Sequence, residues 1–118
     1  MSGANERFGL PFDKMKKIII AFDCDGTLIR NGGNKEDIAN ERIVELVKIL
    51  HSFKNVYIIV WSGGGKDYAQ RWVRLLRLDD YVDKIASKTE WKELDVDIAV
   101  DDIQDTAIGH INLIVREK

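Results

Sequence analysis

A parallel α/β sheet in three layers is the fold this sequence predicts, and three observations predict it. Two runs, KKIIIAFD (16–23) and NVYIIVWS (55–62), are almost continuously β-branched or aromatic, as in strands covered on both faces. Between and after them apolar residues return every three to four positions, the spacing of helices that lay one stripe against a sheet. Shorter apolar runs then follow, so that strands and helices alternate to the end of the chain. At 118 residues the chain has the length of one domain with one core.

Taken in order, residues 1–14 carry no periodic pattern and form an N-terminal extension, the one segment expected to be loose, ahead of a single domain over 15–118. The run 16–23 is the first strand. Ile43, Leu46, Val47 and Leu50 recur at i, i+3, i+4 and i+7 and predict a helix. The run 55–62 is the second central strand, and Tyr68, Ala69, Trp72, Leu75 and Leu76 mark the apolar stripe of a second helix. KIAS (84–87) reads as a short strand, VDIAVDD (96–102) as a strong one and INLIVRE (111–117) as the last.

Composition excludes several classes of function. With 45% hydrophobic residues, 32% charged residues and a net charge of -2, the chain has neither a general basic field for nucleic acid nor an acidic disordered tail. Cys24 is the single cysteine, so no internal disulfide can form, which fits a reducing compartment. No apolar run approaches the ~20 residues of a membrane-spanning helix, and the N-terminal residues lack the apolar stretch of a signal peptide. The expectation is a soluble, cytoplasmic protein with no membrane partner.

Chemistry gathers where the predicted strands end, which in parallel α/β sheets is where ligands bind. The first strand delivers Asp23 and Asp25, the second Ser62 followed by Gly63, Gly64 and Gly65, and the fourth Asp101 and Asp102. Like charges aimed at one spot need a cation or a proton to offset their repulsion. Residues i and i+2 of an extended strand point the same way, so Asp23 and Asp25 can address one group while Cys24 faces elsewhere. The glycines after Ser62 can present N–H groups beside a helix N-terminus, a phosphate-binding arrangement. SGGGK is not a P-loop: the first Gly would fall at Val60, and Asp67 stands where Ser or Thr is needed. Of the nearby lysines, Lys88 directly follows the third strand, whereas Lys84 neighbours Asp83 and Lys92 reads as a surface residue.

The order DxDGT, then Ser after an apolar strand, then Lys, then DD after another apolar strand resembles the four motifs of the haloacid dehalogenase (HAD) superfamily over residues 16–116. The resemblance implies a Rossmann-like sheet and Mg²⁺-dependent phosphoryl transfer through an aspartyl-phosphate. It implies Asp23 as nucleophile, Asp25 as general acid and base, and Thr27 as a side chain fixing the nucleophile. Lys88 would neutralise the transferring phosphoryl group, with Ser62, Gly63 and Gly64 on the phosphate. The implied Mg²⁺ ligands are Asp23, the Asp25 carbonyl and the 101/102 pair, with Asp102 as direct ligand, Asp101 as its support and Asp105 a further candidate.

Arg30 lies where the family carries a small mobile flap, here with Gly32 and Gly33, and is expected to grip the substrate or its leaving group. No stretch is long enough for a cap domain. The substrate is therefore expected to be bulky, such as a phosphorylated nucleic-acid end or protein, unless a neighbouring subunit serves as lid. A receiver-type phosphoacceptor domain is the rival on composition, but its paired acids would follow the first strand and its lone Asp the third. An inactive phosphate-binding module of the same fold is the other alternative.

Overall fold

The near-continuous apolar runs become strands because a parallel sheet hides both of their faces. In the computed structural model, which describes residues 17–31, 37–103 and 108–116, the elements follow in chain order. They are β1 (Ile18–Asp23), β2 (Ile29–Asn31), β3 (Asp37–Ala39), α1 (Glu41–His51), β4 (Val56–Ser62), α2 (Lys66–Leu75), β5 (Lys84–Ser87), α3 (Trp91–Leu94), β6 (Ile98–Asp101) and β7 (Ile111–Ile114). The extension 1–14, Gly32, Gly33 and Asp105 lie outside the described residues.

Five strands form one Rossmann-like sheet in the order β5-β4-β1-β6-β7, every neighbouring pair parallel. Its register positions the rim. Asp23 pairs with Trp61, Phe22 with Val100, and Ser62 with Ser87. The C-terminal ends of β1, β4, β5 and β6 therefore lie within two residues of one level: Asp101 falls beside Asp23, Ser62 and Ser87 one residue further on, and Lys88 one beyond. β2 and β3 form a separate antiparallel ribbon where the sequence suggests only a loop.

The two faces are covered unequally. β1→β4 and β4→β5 step in the same direction, so right-handed crossovers put α1 and α2 on the same face. Val44, Val47, Ala69 and Val73 there meet Ile20, Phe22, Ile58 and Val60. On the opposite face Ala21, Ile59, Trp61, Ala86 and Ala99 cluster with Val96, and Leu94 of α3 and Ile108 pack against them. Among the described residues the third layer thus amounts to one helical turn and its flanking chain.

Several sequence expectations shift by a residue or two. Leu75, read as part of the α2 stripe, is 61% exposed, and Leu46 of α1 is also outside the core, while Val73 and Val44 are buried. A helix on a sheet buries a narrow strip, and small or β-branched side chains at its centre allow the closest approach. β6 starts at Ile98 rather than at residue 96, and just before it Asp97 Oδ2 accepts the Ile19 N–H at 2.8 Å. Asp83 does the same for Ile58 at 2.7 Å. Both carboxylates satisfy strand amides at the end of the sheet away from the rim.

Candidate functional site

At its last residue β1 gives way to a tight turn. The Thr27 and Ile29 N–H groups both donate to the Cys24 carbonyl at 3.1 Å, and Gly26 N donates to the Ile29 carbonyl at 2.8 Å. Gly26 has φ +83°, and a Cβ there would run into the Asp102 carboxylate. Glycine is thus required twice, by the backbone and by the acid lying against it. Because the strand stops at Asp23, Asp25 leaves on the turn instead of continuing the strand's alternation, and it is exposed. Cys24 is fully buried; burial, followed by the charges of Asp23 and Asp25, pushes its thiol up to about 12. It behaves as a small apolar core residue.

Asp23 is 5% exposed. Lys88 Nζ lies 2.8 Å from its Oδ1 and 2.6 Å from Asp101 Oδ2, bridging the ends of β1 and β6. Asp101 Oδ1 accepts from Ile103 N at 3.1 Å, so both of its oxygens are engaged. Thr27 Oγ1 approaches Asp23 Oδ2 at 3.5 Å, the long limit of a hydrogen bond. Oxygens of Asp23, Asp101 and Asp102 come within 4.8 Å of one another. Burial raises Asp23 to about 7 despite the lowering effect of Lys88, and the charges of Asp101 and Asp102 add to the rise. Burial lowers Lys88, but its hydrogen bonds and attraction to Asp101 and Asp23 outweigh that and hold it above the ordinary lysine value.

The lysine is set in place by a feature with a sequence signature that motif reading passed over. Ser87-Lys88-Thr89-Glu90 is a capping box: Ser87 Oγ accepts from Thr89 N at 3.3 Å, and Ser87 N donates to Glu90 Oε2 at 2.9 Å. It closes a single turn just after β5 and fixes where Lys88 begins. Lys92 instead lies over the Trp91 ring, 5.5 Å from its centre, and Lys84 is within β5.

The glycine loop differs from its expected form. Gly64 N donates to Ser62 Oγ at 2.9 Å and Gly65 N to the Ser62 carbonyl at 3.2 Å, so these two donors turn inward rather than toward a phosphate. Gly65, at φ +107°, is the N-cap of α2, and the side chain of Ser62 does not cap it. Gly63 and Gly64 are exposed at the rim. Arg30 lines a cavity of about 670 Å³ with Arg42, Arg116, Leu46 and Leu113.

Tyr68, read from sequence as part of an apolar stripe, also reaches the rim: its hydroxyl donates to Asp25 Oδ1 at 2.7 Å. Its position in the first turn of α2, just past three glycines, was the available signal. Neither histidine joins the carboxylates: His51 packs edge-on to Tyr81, and His110 pairs with Asp95 at 2.8 Å.

Among the described residues the arrangement is a buried acidic cluster with Lys88 against it and the exposed carboxylate of Asp25 on the adjoining turn. With all three carboxylates ionised, the single ammonium of Lys88 leaves two negative charges unbalanced, and their gathered hard oxygens could hold a divalent cation. No helix among the described residues is long and apolar enough to cross a membrane. Comparison with family models, with curated proteins and with solved structures returns no match.

Proposed function

We propose that this chain is a Mg²⁺-dependent phosphomonoester hydrolase of the HAD type, working through an aspartyl-phosphate on Asp23. The observation that carries the reading is the meeting of Asp23, Asp101, Asp102 and Lys88 at the carboxyl ends of β1 and β6. Asp23, Asp101 and Asp102 would hold the cation, which when bound supplies positive charge to the phosphate oxygens and to the nucleophile.

The remaining steps belong to side chains of the protein. An Asp23 oxygen attacks phosphorus, dividing one hard hydrolysis into two easier displacements. Lys88 keeps Asp23 oriented through Oδ1 and balances charge as the phosphoryl group transfers. Asp25, exposed on the turn after β1, gives a proton to the leaving oxygen and then takes one from the attacking water. The Gly26–Asp102 contact locks the turn carrying Asp25 against the acidic end of β6.

The test is turnover of p-nitrophenyl phosphate with Mg²⁺ and with excess chelator, together with mass-spectrometric trapping of a phosphoryl group on Asp23. Mg²⁺-dependent turnover and a phosphorylated Asp23 are expected. Undiminished turnover in chelator, or none with Mg²⁺ on any of a panel of sugar, nucleotide and oligonucleotide phosphates, overturns the reading.

A further inference from the structure

An exposed carboxylate samples many orientations, and acid catalysis is efficient only when its proton is aimed at the leaving oxygen. Asp25 is such a carboxylate, and Tyr68 restrains it. The Tyr68 ring packs against the core, and a Cβ on Gly64 would lie 3.5 Å from it, so the glycine loop and the ring fit closely. The Arg71 guanidinium lies 5.8 Å from the ring centre. Held between these, the hydroxyl donates to Asp25 Oδ1 at 2.7 Å, across 43 residues of chain.

Resting on the phosphatase reading above, we infer that Tyr68 is a positioning residue for the acid–base step: by occupying Oδ1 of Asp25 it makes Oδ2 the oxygen that carries and delivers the proton. In the first displacement the bond from an Asp23 oxygen to phosphorus forms while the phosphorus–leaving-group bond breaks. The proton on Asp25 Oδ2 goes to the departing oxygen, which leaves as a neutral alcohol. In the second, water oxygen bonds to phosphorus, the Asp23–phosphorus bond breaks, and a water proton returns to Asp25 Oδ2. Tyr68 keeps its own proton throughout, so the cycle balances.

The consequence is selective. A p-nitrophenolate ion leaves without help, whereas an alkoxide needs the proton, so loosening Asp25 should damage turnover of alkyl esters far more.

The experiment compares kcat/KM, which reports the first displacement, for wild type and Tyr68→Phe on p-nitrophenyl phosphate and on glycerol 2-phosphate with Mg²⁺. Tyr68→Phe should lose about 10- to 100-fold on the alkyl ester and less than about threefold on the aryl ester. In an Asp25→Asn background, Tyr68→Phe should leave the p-nitrophenol burst unchanged, because the group it acts through is already disabled. Equal losses on both esters, or a further loss in the Asp25→Asn background, would reduce Tyr68 to a packing residue and overturn the inference. A wild type that turns over neither these esters nor any phosphate of the panel above overturns the phosphatase reading itself, a distinct outcome.

Discussion

The two halves of the rim treat their carboxylates in opposite ways. Asp23 and Asp101 are buried and tied to Lys88, while Asp25 is exposed and held by a neutral hydroxyl. A buried carboxylate lacks water and must find its compensation in fixed charge, so its protonation depends on its neighbours. An exposed one needs only orientation. On the proposed reading, burial suits a nucleophile that must not wander, and exposure suits a group that exchanges protons with solvent.

The sharpest way to break this contrast is at Asp23. Asp23→Asn keeps the shape but removes the proposed nucleophile, and turnover of p-nitrophenyl phosphate should fall below about a thousandth of wild type. A rate near wild type would show that the buried half is not the reacting half.

Lys88→Ala comes next, since it leaves buried carboxylates without their cation. Unfolding in urea should show a loss of about 3 kcal/mol without added metal, against less than about 0.5 kcal/mol for Lys84→Ala. A larger loss at Lys84 would move the electrostatic anchor away from the rim.

Gly26→Ala probes the seam between the halves. With φ at +83° and Asp102 in the way, the substitution should cost about 1–3 kcal/mol, and it should weaken Mg²⁺ binding measured by calorimetry. Unchanged Mg²⁺ affinity would separate Asp102 from the cation site.

A pH series sharpens the comparison further. In chelator, Asp23 is raised from 3.8 to about 7 in the folded chain, so folding favours its protonated form. That contribution is fully present below about pH 4 and is lost as pH rises toward 7. Relative to Asp23→Asn, the metal-free protein should therefore lose melting temperature across this window, and excess Mg²⁺ should diminish the difference. The smallest effect is expected at Cys24: its buried thiol should resist alkylation at pH 8 in the native protein and react only after unfolding.

How much of this was legible in the sequence depended on distance along the chain. Residues 18–23 and 56–62 announced themselves as strands because continuous apolar runs leave little else that can hide both faces. Lys88 was legible because it directly follows β5, and the Ser87–Glu90 capping box encodes its placement locally. The β2–β3 ribbon was not: three residues per strand are too few for a period to register. Leu75 misled for a related reason, since helical spacing names a stripe but not its edges.

By itself, then, the sequence determined the five strands of the main sheet, helices α1 and α2, the acids at the strand ends and the lysine after β5, all set by local period, propensity and turn chemistry. Tertiary structure alone decided that α1 and α2 share one face, that Asp102 lies against the α-carbon of Gly26, that Gly64 turns inward to Ser62, and that Tyr68 holds Asp25. Crossover handedness, strand register and tight packing fixed most of these. They are properties of how elements meet, and apart from the short Ser62–Gly64 turn, a contact spanning 43 or more residues leaves no periodic trace in the chain that makes it.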